Sequence, residues 1–289
     1  MKEIVKEKIA SLLSGDEEIQ SVEQLGGMTN QNYLVQTSSN RYIVKFFGKG
    51  TEKLIDRQNE KFNIELLKDL KLDVENYLFD IEAGIKVNQY IENAETFDSN
   101  TIKTKFEKIA PILQTIHASG KELKGDFAPF EEIKKYESLI QGEIYYPNYE
   151  AVRKSVFSLK EKLEQIGIEK KSCHIDLVPE NFIEGPDGHL YLIDWEYSSM
   201  NDPMWDLAAL FLESEFTTDQ ENSFLSYYES EQTPVSREKI RIYKILQDII
   251  WSLWTIYKEE NGADFGDYGI SRYNRAVKEL ESEGDLDEN

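Results

Sequence analysis

The chain is poor in the residues that build metal clusters and disulfides. It has one cysteine, Cys173, and three histidines among 289 residues. No intrachain disulfide and no cysteine-based zinc cluster can form. Cys173 and His174 are adjacent, which argues against a thiol nucleophile, because the fold normally brings such a pair together from separate segments. No apolar run reaches the roughly 20 residues of a membrane span; Leu207-Ala208-Ala209-Leu210-Phe211-Leu212 is typical. The charged start, Met1 to Glu7, lacks the apolar core of a signal peptide, so a cytoplasmic protein is expected, with no membrane partner. Basic residues are also scarce, with 33 Lys and Arg against 55 Asp and Glu and a net charge of −22. That balance excludes a general nucleic-acid binder. It fits a cationic small-molecule substrate, and equally plain solubility.

What is present is a full complement of core residues: 40% hydrophobic and 12% aromatic exclude global disorder. Residues 2–13 have helical spacing, and β-like runs follow at 19–25, 32–37 and 41–47, the last two joined by the turn Ser38-Ser39-Asn40. Residues 52–70 read as one helix, then 77–81 and 84–91 as strands. Beyond Ile91 the pattern is mainly helical, over 99–118, 129–141, 148–166, 206–215, 219–228, 236–258 and 270–280, with a short strand at 190–193. The acid-rich tail from Glu279 reads as frayed. The expected class is α+β, with two lobes, 1–91 and 92–289, and a cleft between them.

The chemistry concentrates in His174-Ile175-Asp176-Leu177-Val178-Pro179-Glu180-Asn181 and, thirteen residues on, Asp194-Trp195-Glu196-Tyr197. The turn signal Glu184-Gly185-Pro186-Asp187-Gly188 can fold 182–184 against 190–193 and return Asp194 to Asn181. An amide and a carboxylate there suit magnesium, which takes one or two protein oxygens plus phosphate oxygens and water. Asp176 is placed to accept the proton of an attacking hydroxyl, with His174 organising the loop. Gly26 to Asn32, between two strands, offers backbone N–H groups and small polar side chains to phosphate, with Gly27, Thr29, Asn30 and Asn32 as candidates. Lys45 lies at the inward register of an apolar strand and calls for a phosphate and a carboxylate partner, Glu60 or alternatively Glu65. Gln89-Tyr90-Ile91 would receive adenine through backbone groups.

His-x-Asp-x₄-Asn followed by a hairpin-spaced Ile-Asp resembles the catalytic loop and metal-binding aspartate of protein-kinase-like enzymes. Ile193 to Ser199 and the segment Asp202-Pro203-Met204-Trp205-Asp206 narrow the resemblance to the aminoglycoside phosphotransferase and choline kinase family. The motif Asp194-Trp195-Glu196-Tyr197 is similar to that of choline and ethanolamine kinases. The resemblance implies a bilobal kinase-like fold with a small antiparallel-sheet N-lobe, ATP and Mg²⁺ as cofactors, and Asp206 as support for the catalytic loop. It also implies an aromatic cage from Trp251-Ser252-Leu253-Trp254, with Glu196, Tyr197, Glu213 and Tyr268 beside the substrate. Aromatic faces suit a trimethylammonium, which has no N–H to donate. The expected reaction is transfer of the ATP γ-phosphate to choline, giving phosphocholine for cell-surface glycans. Aminoglycoside or ethanolamine phosphorylation is the alternative, and an inactive nucleotide or choline binder the alternative of another class. Trp251 and Trp254 as core residues, and Glu213 as an ordinary helix residue, are the plainer readings of those positions.

Overall fold

The computed structural model describes residues 2–9, 12–13, 16–27, 29–282 and 284. It contains two compact units, Met1–Asp98 with Pro179–Tyr197, and Ser99–Val178 with Ser198–Asn289.

The first unit is built on strands β1 (Ile19–Gln24), β2 (Gln31–Thr37), β3 (Arg41–Phe46), β4 (Asn76–Asp80) and β5 (Ile85–Gln89), ordered β1-β2-β3-β5-β4 and antiparallel throughout. Period-2 alternation puts Tyr33 and Val35 of β2 on the buried face with Tyr42 and Val44 of β3 and Ile85 and Val87 of β5. Helix α1 (Lys2–Ile9) covers that face with Val5 and Ile9. The helix expected over 2–13 ends short of Leu12 and Leu13, which are not helical, and the tail expected to fray from Glu279 is helical to Ser282, with most of the rest outside the described residues.

The helix expected over 52–70 is interrupted. Thr51–Lys53 and Lys68–Leu70 are single 3₁₀ turns, and α2 is Arg57–Leu67. Asp56 is the cause. It is extended, and its carboxylate accepts from the N–H groups of Gln58 (2.9 Å) and Asn59 (3.1 Å), which starts a new helix at Arg57. The hairpin Phe182–Glu184 and Leu190–Leu192 belongs to this unit although it arrives a hundred residues later. Leu192 N–H donates to Leu72 O (2.7 Å), Phe97 N–H to Phe182 O (3.0 Å), and Glu95–Thr96 pairs with the hairpin's first strand. A single cut at residue 91 therefore separates parts that fold together.

The second unit holds α3 (Phe106–His117), α4 (Pro129–Leu139), α5 (Tyr149–Ile166), α6 (Pro203–Glu213), α7 (Thr218–Tyr228), α8 (Arg237–Glu260) and α9 (Tyr268–Ser282). Helix α8 is buried without a break from Ile245 to Lys258, with α4, α5, α6 and α9 around it. Helix α6 starts at Pro203, three residues before the periodicity suggests, because Asp202 caps it and proline suits the first helical position. Lys171–Cys173 and Ser199–Asn201 form a short antiparallel ribbon.

Asp202 also joins α6 to α8. One carboxylate oxygen accepts from Met204 N–H (3.0 Å); the other accepts from Glu169 N–H (3.0 Å) and from Lys239 Nζ (2.7 Å), and both ionic side chains are buried. Asp202→Ala strands the Lys239 ammonium. It should cost about 3–5 kcal/mol, read as a lower midpoint in urea denaturation; an unchanged midpoint would refute this account.

Candidate functional site

In the second unit the strand Lys171–Cys173 delivers His174, Ile175 and Asp176. Ile175 has φ 78°, a left-handed conformation that a β-branched residue strongly disfavours. The structure holds it from both sides. The Asp206 carboxylate accepts from His174 N–H (2.8 Å) and Ile175 N–H (2.8 Å), and the Trp205 indole N–H donates to Ile175 O (3.0 Å). Asp206 is itself oriented by His117, whose Nε2 lies 3.0 Å from it and whose Nδ1 lies 2.7 Å from the Tyr228 hydroxyl. A carboxylate accepts only, so Nε2 carries a proton toward Asp206; in the neutral ring Nδ1 then accepts from the Tyr228 hydroxyl. His174 is fully buried; Asp176, the next outward residue, is partly exposed.

His117, Cys173 and Asp206 bring three ligand atoms within 4.8 Å of one another. This is not a metal centre. Asp206 is committed to backbone N–H groups, and the thiol donates to Asn201 O (3.4 Å). Burial, with Asp206 and Asp202 nearby, pushes the Cys173 thiol well up, which also removes it as a nucleophile.

In the first unit Asn181 and Asp194 sit on the hairpin, whose ends are joined by Ile193 N–H to Asn181 O (2.9 Å). Asp194 has φ 68°, which aspartate tolerates, and its carboxylate accepts from Lys45 Nζ at 2.6 Å. The paired acid for Lys45 is thus Asp194. Glu60 is held instead by Lys86 Nζ (2.6 Å) and Arg57 Nη1 (2.6 Å), and Glu65 is exposed, paired with Lys68. Lys45 and Lys86 stand directly opposite each other on β3 and β5, so each buried ammonium needs its own carboxylate. Burial opposes the Lys45 charge, but Asp194, Glu196 and Glu60 outweigh it and hold the ammonium above its usual range.

Glu196 and Asn30 are not exposed ligands. Glu196 is buried and accepts from Asn30 Nδ2 (2.6 Å) and Arg57 Nη1 (2.9 Å). Burial and the like charge of Asp194 push its carboxyl upward; two donors on one oxygen favour the ionised form. Asn30 Oδ1 in turn accepts from Arg57 Nη2 (3.0 Å) and Gly48 N–H (3.2 Å). The network ties the loop after β1 to α2 and to the turn Trp195–Tyr197. The loop is tight. A Cβ on Gly48 would lie 1.8 Å from Thr29 O, and one on Gly27 2.7 Å from both Asn30 O and Asn32 Nδ2. Asn32 donates to Gly26 O (2.9 Å), Thr29 is partly exposed, and Met28 lies outside the described residues. Gln89 closes β5 by donating its N–H to Glu75 O (2.8 Å), and Tyr90 and Ile91 follow it half-buried. Arg57 and Lys86 escape a sequence reading that stops at Lys45. The signal for Lys86 is the same, a lysine within the apolar run Ile85-Lys86-Val87; Arg57 carries none.

Back in the second unit, Trp251 and Trp254 are 8% and 4% exposed, their rings edge to face at 6.5 Å. Phe265, not singled out from the sequence, packs on Trp254 at 5.0 Å, and Tyr268 lies 6.5 Å from Phe265. The aromatic residues thus form a cluster drawn from α8, the loop after it and the start of α9. Tyr197, in the first unit, is buried. The Tyr268 hydroxyl is pushed up by burial, and Arg272, Glu213 and Asp176 lie within electrostatic reach of it. Glu213 is bonded to Arg272. A cavity of about 380 Å³, lined by Leu225, Arg237, Arg241, Lys244, Asp248 and Arg275 among others, contains none of the residues expected at the site.

Among known proteins, a family model described as choline/ethanolamine kinase matches residues 22–240. The choline kinase LicA of Streptococcus pneumoniae is 75% identical in its crystal structure, with a TM-score of 0.95 over 98% of this chain and 99% of that one. A structure of LicA in complex with AMP is 76% identical, with a TM-score of 0.92 over 97% and 98%. Protein LicA of Haemophilus influenzae is 30% identical over 89% of this chain and 79% of its own. The fold alone is shared with a spectinomycin phosphotransferase, 15% identical with a TM-score of 0.63. No helix among the described residues is long and apolar enough to cross a membrane.

One acid in the first unit is poised to titrate. Burial pushes the Asp73 carboxyl up to about 7 against the pull of Lys86 and its bond from Val74 N–H (2.8 Å), and Asp194 adds to the rise. The folded chain therefore keeps a proton that the unfolded chain loses near pH 4. Stability falls as pH climbs from about 4 to 7, and the loss is complete above that. Asp73→Asn should gain about 2 kcal/mol more at pH 8 than at pH 5.5, seen as a melting-temperature increase that is a few degrees larger at the higher pH. An equal gain at both would show that Asp73 ionises normally.

Proposed function

The chain belongs to the choline/ethanolamine kinase family, and on that premise we propose that it transfers the γ-phosphate of ATP to the hydroxyl of choline, giving phosphocholine and ADP. The observation that carries the substrate reading is that Tyr268 joins two features. Its ring belongs to the Trp251, Trp254 and Phe265 cluster, and its hydroxyl is within electrostatic reach of Asp176. A quaternary ammonium held by aromatic faces would present its alcohol toward a carboxylate.

Asp176 accepts the hydroxyl proton as the alcohol oxygen bonds to the γ-phosphorus and the bond to the ADP oxygen breaks. No covalent enzyme intermediate is needed, so catalysis is positioning and charge neutralisation. The first unit takes the nucleotide: Lys45 neutralises phosphate, the loop with Gly27, Thr29 and Asn32 offers backbone and side-chain donors, and Gln89 to Ile91 receive adenine. Asn30, Glu60, Arg57 and Glu196 hold these parts in register. Asn181 and Asp194 fit magnesium, because both are hard oxygen donors at the base of one hairpin. When bound there, the ion would neutralise developing phosphate charge. An ATP-dependent reaction and a buried, unpaired cysteine fit the cytoplasm, and we assign phosphocholine to cell-surface glycan decoration on the family resemblance.

The direct test is ADP release with choline, ethanolamine and kanamycin side by side. Choline should be turned over and kanamycin should not; kanamycin turnover without choline turnover would sink the proposal. Asp176→Asn should lower kcat at least a hundredfold, roughly the range of general-base catalysis, and leave ATP affinity within about twofold by calorimetry. Loss of ATP binding in that variant would remove Asp176 from the assigned role. Trp254→Ala should raise the choline KM about tenfold, in keeping with roughly 1–2 kcal/mol for a desolvated cation–π contact, with the ATP KM unchanged.

A further inference from the structure

The acid expected beside the substrate cation is already paired, through one of its oxygens, with an internal guanidinium. Glu213 ends α6, and its carboxylate is bonded to Nη2 of Arg272 on α9. The other end of the same guanidinium is bonded to Asp248 on α8 (3.0 Å). Asp248 is held in turn by two bonds from Arg275, both 2.6 Å. Arg272 is buried and lies over the Tyr268 ring, 4.7 Å from its centroid. It is gripped by two carboxylates and stacked on one face, so it cannot swing away from Glu213 without also leaving Asp248, with which its ion pair is buried.

We infer that Arg272 sets the choice between quaternary and primary ammonium substrates, by withholding the Glu213 carboxylate from the substrate head group. The inference rests on the reading of the aromatic cluster as the head-group site. A primary ammonium carries three N–H donors, each of which must find an acceptor when water is stripped away. A free carboxylate would be its best partner. Trimethylammonium has no donor; its charge is satisfied by ring faces and its methyl groups by apolar contact. A site whose acid is pre-empted by an internal guanidinium therefore penalises ethanolamine and leaves choline untouched. The family includes both substrates by description, so the discrimination must come from particular residues of each chain.

The test is kcat/KM for choline and for ethanolamine, measured on the full chain with magnesium and ATP. Wild-type protein should favour choline. Arg272→Met frees Glu213 while Asp248 keeps Arg275, and the choline-to-ethanolamine ratio should fall about tenfold or more, the equivalent of one charge-assisted hydrogen bond, mainly through a lower ethanolamine KM. Adding Glu213→Gln to that variant should restore the ratio, and Arg272→Lys should keep it. An unchanged ratio in an Arg272→Met protein with wild-type circular dichroism overturns the inference. If that variant does not fold, Glu213→Gln alone decides: both substrates should weaken by similar factors, and a selective loss of ethanolamine would mean that Glu213 reaches the ammonium. Wild-type protein that turns over ethanolamine in preference to choline also overturns the inference, and wild-type protein inactive on choline overturns the underlying reading with it.

Discussion

The geometry of the second unit depends on what one carboxylate does for two peptide N–H groups. Ile175 sits at φ 78°, at a cost of about 1–3 kcal/mol. Asp206 accepts from the N–H groups of both His174 and Ile175, and hydrogen bonds to a charged group contribute about 1.5–3 kcal/mol each. Two of them outweigh the strain, so the unusual backbone is the stable one while Asp206 is in place. The twist at Ile175 is what turns the chain from a buried strand to a partly exposed Asp176. His117 and Tyr228 act one step further out by fixing the rotamer of Asp206. None of these groups needs to touch a substrate to matter, because the direction of Asp176 follows from the peptide before it.

The first unit solves a different problem, the burial of three cations. Lys45, Lys86 and Arg57 are balanced by Glu60, Asp194 and Glu196, and the acids come from α2 and from the late hairpin. The hairpin is thus bound to the sheet by charge as well as by its backbone bonds. Lys86, Glu60 and Arg57 are bonded to one another, and Arg57 carries the set on to Glu196 and Asn30. Lys45 and Asp194 are different, since each has a second natural partner, phosphate for the ammonium and a cation for the carboxylate. Within the proposed reaction, nucleotide and magnesium would separate them and replace one ion pair with two.

Much of this was legible in the sequence, for physical reasons that differ by element. The strands show because a half-buried sheet imposes period 2, and α8 because its apolar stripe runs without a break. His174, Asp176, Asn181 and Asp194 show because a tight loop and a Gly-Pro-Asp-Gly turn fix their separation along the chain. What did not show were partners chosen in space. Lys45 reads as needing an acid, and the sequence offers Glu60 or Glu65 on the next helix, but packing brings Asp194 to it from 149 residues away. Glu196 and Asn30 read as ligands because they adjoin motifs, yet Arg57, which carries no pattern of its own, draws both into a buried network. Phe265 lies within the loop between α8 and α9, where periodicity gives no signal.

The acidity of the chain bears on recognition less than it first suggests. A net charge of −22 raises the local concentration of any small cation, within a screening length of about 8 Å at physiological salt. Choline and ethanolamine both carry one positive charge, so that field cannot tell them apart. Nor does an acid near the head-group site do so by its charge, when an internal guanidinium such as Arg272 has neutralised it. The two substrates differ in their hydrogen-bond inventory, three donors against none, and discrimination therefore has to be built from which acceptors are left open. An acid-rich protein that commits its few buried arginines to pairing its own carboxylates is, in effect, removing acceptors one by one. What remains at such a site is aromatic surface, which favours the cation that asks for nothing else.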